Sequence, residues 1–99
     1  MVTLVVYDIG NNARRKRTEQ ICKDNGLNRV QASVFRGDID VRRRTRLARE
    51  LTTESTNADD GTWDVQIYFI SRDDFASHIR LCSEGPVDDL LDTPEVIII

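Results

Sequence analysis

Residues Val2–Ile9 (VTLVVYDI) form a nearly continuous run of apolar and β-branched residues, which predicts a buried central strand. Gly10, Asn11 and Asn12 follow as a turn in which an asparagine can cap a helix. Residues 13–25 then read as helix, stopped by Gly26 at a position that favours glycine, with Leu27 placed to pack back. The period changes at residues 29–36 (RVQASVFR). There Val30, Ala32 and Val34 alternate with Gln31, Ser33 and Phe35, the repeat of a strand. Gly37 allows a bend, and Asp40 can cap a second helix over residues 41–54. A polar loop (STNADDGT) leads into Trp63–Ile70 (WDVQIYFI), a strand with Trp63, Val65, Ile67 and Phe69 on one face. Asp73 or Asp74 can cap a short helix through His78 and Ile79; Gly85-Pro86 breaks the chain, and residues 95–99 (EVIII) end it as a strand. Strands alternating with helices predict an α/β or α+β sandwich, with helices over one sheet face. No repeat, low-complexity tract or linker divides it, so residues 1–99 are expected to form one domain.

Composition alters this picture in one respect. At 39% hydrophobic and 31% charged residues the chain has an ordinary globular balance. Its 99 residues bury little surface, which a dimer would relieve. The net charge of −3 speaks against a nucleic-acid partner, but its distribution speaks for one. Residues 1–50 hold 12 Lys and Arg against 6 Asp and Glu; residues 51–99 hold 2 against 11. The first half suits phosphate, the second a basic partner. Cys22 and Cys82 have no second Cys or His at metal-finger spacing, and a reducing cytoplasm suits them. The N-terminal apolar run is too short for a signal peptide or a membrane span.

Asp8 is the leading candidate for chemistry. It closes the presumed central strand, where ligand sites of α/β sheets gather, and a carboxylate suits a hard cation such as Mg²⁺. Capping of the next turn is the plainer reading. Two copies of Asp8 facing across a two-fold axis would make a better metal site than one. Arg14, Arg15, Lys16 and Arg17 open the first helix, against its macrodipole. Arg14 and Arg17 flank the core face marked by Ile21 and Cys22, and would project towards Asp8, either as a phosphate clamp or as a local salt bridge. The second helix places Arg42, Arg46 and Arg49 in one stripe opposite Val41, Leu47, Ala48 and Leu51. Glu50 is the one acid among residues 41–51, so the stripe suits sequence-independent contact with a phosphate backbone. His78 is the only histidine, which excludes paired-histidine sites within one chain; a Gly-rich phosphate loop and an aromatic RNA-recognition signature are both absent.

The opening VTLVVYDI, the basic first helix, GLNRVQASVFRGDI and the IYFI strand together resemble the small CRISPR-associated adaptation proteins, the non-integrase member of the adaptation pair. The likeness runs from Val2 to about Ile70 and rests on the Tyr-Asp-Ile strand ending combined with Arg-Val-Gln-x-Ser-Val-Phe. It implies an α+β, ferredoxin-like βαββαβ protomer in which residues 29–39 supply a kinked pair of strand segments. It implies a homodimer with the Asp8 pair at its interface, able to hold one Mg²⁺ or Mn²⁺ per dimer. By motif position Tyr7, Ser33 and Phe35 support the site, and Arg15, Arg17 and Arg29 join the nucleic-acid contacts. The C-terminal strand is expected to cross to the partner's sheet. Residues 71–95 match no motif. The implied roles are spacer acquisition and antiviral defence, with integrase subunits and double-stranded DNA or single-stranded RNA as partners. They are either a metal-dependent endonuclease acting through Asp8 or a scaffold without chemistry. A related toxin-like RNA nuclease is a third reading.

Overall fold

The computed structural model describes residues 1–56, 61–82 and 96–98; for 82 and 96–98 it is the backbone that is described. The elements are β1 (Val2–Ile9), α1 (Asn12–Asp24), β2 (Asn28–Gln31), β3 (Val34–Asp38), α2 (Val41–Thr56), β4 (Trp63–Ile70), α3 (Arg72–Ala76), β5 (Arg80–Cys82) and β6 (Val96–Ile98). The first four strands form one sheet in the order β2-β3-β1-β4, with every neighbouring pair antiparallel. This is the ferredoxin-like βαββαβ arrangement. The apolar β1 lies inside it, paired along Val2↔Asp38 to Val6↔Val34 on one side and Val2↔Ile70 to Ile9↔Trp63 on the other.

Strand alternation decides what each face of β1 meets. Val5, Tyr7 and Ile9 face the helices and join Cys22, Leu27, Phe35, Ile39, Leu47 and Leu51 in the core. Leu4 and Val6 point the other way and are half-buried, while Asp8 on that face is exposed. β1 is therefore central, but the run VTLVVYDI is sealed on one face only.

Most boundaries follow the sequence, with physical reasons where they shift. Asn11 caps α1, its side chain accepting from the Arg14 N–H, and Gly26 takes φ +87° just past the C-cap Asn25. Asp40 caps α2 by accepting from Arg43 N–H at 2.8 Å, and α2 runs on to Thr56. Residues 29–36 are not one strand. They are two antiparallel strands with a turn at Ala32 and Ser33. The alternation is real on either side of that turn, but Gln31 pairs with Val34 after an irregularity, so the period does not carry through. The kinked pair implied by the family resemblance is what forms. Gly37 lies inside β3 rather than at a bend: a Cβ there would meet Leu27 Cδ2 at 2.7 Å and Gly26 O at 2.9 Å. Glycine is needed for that close approach. α3 is capped by Ser71, not Asp73 or Asp74, and ends at Ala76, short of His78 and Ile79. β6 pairs in parallel with β5 of its own chain. The centre of the predicted 55–62 loop, the Gly85-Pro86 break, the outer ends of the predicted final strand and the Cys82 side chain lie outside the description. No helix among the described residues is long and apolar enough to cross a membrane.

Candidate functional site

Asp8 stands exposed on the sheet face away from α1 and α2, directly opposite Asp64 of β4. Like charges directly opposite in an antiparallel pair are destabilising. Among the described residues neither carboxylate has a cationic partner; Gln66 Nε2 donates weakly to Asp64 at 3.4 Å, and Tyr68 Oη donates to Gln66 Oε1. No group of three or more His, Cys, Asp and Glu gathers among the described residues. One chain thus offers a pair of hard oxygen ligands at an open strand end, with room for the waters that Mg²⁺ keeps. A two-fold copy would double the set. The donor chemistry fits a divalent cation to that extent. Asp64 was not singled out in the sequence; the register of β1 on β4 is what reveals it.

The arginines of α1 do not reach Asp8. Arg14 is buried, and its Nη2 donates to Glu54 O at 2.5 Å and Ser55 O at 3.4 Å, carbonyls at the C-terminus of α2. Its guanidinium lies 5.7 Å from the centre of the Trp63 ring. The negative end of the α2 dipole and its unpaired carbonyls attract this cation more than an exposed aspartate does. Arg17 pairs with Glu54 at 2.6 Å, and Arg15 donates to Asn12 Oδ1. These contacts engage three of the four cations that open α1. Both sequence readings of Arg14 and Arg17, the phosphate clamp beside Asp8 and the salt bridge to Asp8, give way to a latch between α1 and the end of α2.

Tyr7 and Arg29 meet on Glu19, a residue with no sequence signal of its own. Tyr7 Oη lies 3.1 Å from Glu19 Oε1 and 3.0 Å from Ala32 O, and Arg29 Nη2 pairs with Glu19 Oε2 at 2.9 Å. Arg29 also donates to Ala32 O at 2.7 Å and sits 5.0 Å over the Phe35 ring, which stacks on Tyr7. Burial, helped by the Glu19 carboxylate, pushes the Tyr7 hydroxyl up to about 12. Burial does the same for the Cys22 thiol, also to about 12, leaving it unreactive. Tyr7, Arg29 and Phe35 therefore brace the β2–β3 turn, with Ser33 O accepting from Tyr7 N–H at 3.1 Å.

The α2 arginines lie on the opposite layer from Asp8. Arg42, Arg46 and Arg49 are exposed. Arg46 pairs with Glu50 at 2.9 Å, so the stripe carries one ion pair; among the described residues Arg42 and Arg49 have none. The structure thus separates two features: a basic helix face on one side and a carboxylate pair on the other.

Residues 1–77 match the family profile described as CRISPR associated protein Cas2. The chain is 43% identical over 51 residues to CRISPR-associated endoribonuclease Cas2 1 of Archaeoglobus fulgidus, covering 52% of this chain and 54% of that protein. It is 45% identical over 51 residues to CRISPR-associated endoribonuclease Cas2 of Desulforudis audaxviator, covering 52% of this chain and 48% of that one. The chain spans about half the length of these curated relatives. Among solved structures, it resembles Streptococcus pyogenes Cas2 at TM-score 0.60 and 26% identity, covering 73% of this chain and 88% of the other. It also resembles a hypothetical protein, TT1823, of Thermus thermophilus, at TM-score 0.57 and 31% identity, covering 71% and 80%.

Proposed function

The chain belongs to the CRISPR associated protein Cas2 family, and on that footing we propose that it acts in spacer acquisition as a nucleic-acid-binding homodimer that bridges integrase subunits. The observation that carries this reading is the exposed α2 face of Arg42, Arg46 and Arg49, which holds one ion pair and faces away from the rest of the fold. Such a face suits phosphate contact without base readout. Arg15 donates to Asn12 Oδ1 within α1, and Arg14, Arg17 and Arg29 are committed to protein contacts and hold the scaffold in shape.

A second reading rests on Asp8 and Asp64. Paired across a dimer axis, Asp8 of each chain would hold one Mg²⁺ or Mn²⁺, with Asp64 beside it. A cation bound there would neutralise a phosphodiester and supply an activated water. Among the described residues the group opposite Asp8 is Asp64, which this reading places beside the cation, so cleavage would depend wholly on that cation. The relatives' names support an endoribonuclease reading.

The test pairs a nuclease assay on RNA and duplex DNA with a spacer-acquisition assay, on wild type and Asp8→Asn. Retained acquisition with lost Mg²⁺-dependent cleavage assigns the biological role to the scaffold. Loss of both assigns it to the metal site. Cleavage surviving in Asp8→Asn removes Asp8 from any mechanism.

A further inference from the structure

The two exposed aromatic rings on the helix side of β4, Trp63 at 41% and Phe69 at 46% exposure, each line a separate cleft along the α2–β4 seam, and the two clefts together form one groove. Its other wall is α2. At the Phe69 end a cleft of about 360 Å³ is lined by Val41, Arg44, Thr45, Ala48 and Phe69. At the Trp63 end a second cleft of about 200 Å³ lies among Leu51, Thr52, Thr56, Trp63, Val65 and Ile67. The rings are six positions apart along the strand, about 20 Å at the usual rise.

Each ring is fixed by an arginine. Arg44 lies 5.5 Å from the Phe69 centroid, and Arg14 lies 5.7 Å from that of Trp63. An aromatic held in this way is an organised platform with its exposed part turned to solvent. Around α2, at about 100° per residue, Thr45, Thr52 and Thr56 fall between the groove and the stripe of Arg42, Arg46 and Arg49. Their hydroxyls donate back to Val41 O, Ala48 O and Thr52 O at 2.9, 2.7 and 2.9 Å. The oxygens keep acceptor capacity on the outer side.

We propose that this α2–β4 groove is a track for single-stranded nucleic acid, with unpaired bases stacked on Trp63 and Phe69 and the backbone on the Arg42–Arg46–Arg49 rail. A cationic rail beside spaced aromatic platforms is the general pattern of sequence-tolerant single-strand binding. The charge of the rail selects a polyanion over an apolar peptide. The proposal rests on the reading of α2 as a phosphate-binding face and adds the unpaired base as what the neighbouring groove takes.

Trp63 is the only tryptophan, so its emission reports directly on the site. Titrating the full chain with a dodecameric oligouridylate should quench Trp63, and the same-length duplex should not. Phe69→Leu keeps apolar area but loses the stacking face; it should weaken oligouridylate binding about ten-fold, and Trp63→Leu, read by anisotropy of a labelled oligomer, by a similar factor. Both variants should keep wild-type duplex affinity. Unchanged single-strand affinity in Phe69→Leu and Trp63→Leu overturns the track. So does Trp63 emission that responds to protein concentration alone, which would make the groove a contact with a second copy. If reversing Arg42, Arg46 and Arg49 abolishes duplex binding while oligouridylate leaves Trp63 unquenched, the groove proposal fails and the phosphate-binding face stands. If no form of nucleic acid binds, both fail.

Discussion

Arg14 shows how a single side chain changes meaning between sequence and structure. Its place seven residues before Ile21 correctly puts it on the core side of α1, and it is 3% exposed. Spacing alone does not say which acceptor it finds there. The α2 carbonyls of Glu54 and Ser55 and the Trp63 ring are brought to it by tertiary packing. Arg14→Ala should therefore cost about 1–3 kcal/mol in urea unfolding, from lost charge-assisted hydrogen bonds and ring contact. Arg14→Lys should recover only part, since an ammonium lacks the planar fork. A variant as stable as wild type would return Arg14 to the list of free phosphate ligands. Tyr7 gives a pH prediction at the same scale. Its hydroxyl is raised from 10.0 to about 12 in the folded chain, so the folded state favours the neutral phenol. The stabilisation is complete below pH 10 and is lost as pH rises towards 12. Stability of wild type should fall across that window relative to Tyr7→Phe, and the variant should lack the late phenolate absorbance step.

At the scale of elements, periodicity and caps made β1, α1, α2 and β4 legible. VTLVVYDI, Asn11, Asp40 and WDVQIYFI carry local signals that tertiary structure did not override. The β2–β3 hairpin was not legible from period, because its turn at Ala32 and Ser33 contains neither glycine nor proline and the alternation in the sequence runs through it unbroken. Its determinants are contacts that periodicity does not carry: Tyr7 reaches Ala32 O from β1, Arg29 reaches the same oxygen from three residues away, and Gly37 lets β3 approach Leu27 and Gly26. Gly37→Ala places a methyl 2.7 Å from Leu27 Cδ2 and 2.9 Å from a backbone oxygen, and the backbone cannot yield as a side chain would. The expected loss is about 1–3 kcal/mol, read as a lower Tm. The α2 stripe is tested by charge reversal of Arg42, Arg46 and Arg49 together. Duplex affinity should drop nearly equally for unrelated sequences, and the slope of binding against salt should flatten. Equal affinity across a salt series would make the stripe a solvated face.

For the whole molecule, the charge asymmetry of the sequence did not foretell where Asp8 would sit relative to the arginines. A strand residue's face follows from its parity, and helix packing on Val5, Tyr7 and Ile9 sends Asp8 to the far side. That far side also carries half-buried Leu4 and Val6, with Ile79 and Leu81 exposed at 61% and 58% on the segment beside it. An apolar face rimmed by Asp8 and Asp64 is the reason to expect a second copy there. If two such faces meet about a two-fold axis, the carboxylates of both chains converge, and their repulsion opposes association until a divalent cation offsets it. Sedimentation should then give a tighter dimer with Mg²⁺ than with EDTA. Asp8→Asn should tighten the EDTA form and remove the Mg²⁺ response, because the amide keeps the shape without the charge. A full-length chain that stays monomeric at micromolar concentration with and without Mg²⁺ would rule out the shared site. A dimer whose strength ignores Mg²⁺ in wild type would place Asp8 away from the axis and leave the arginine face of α2 as the functional surface.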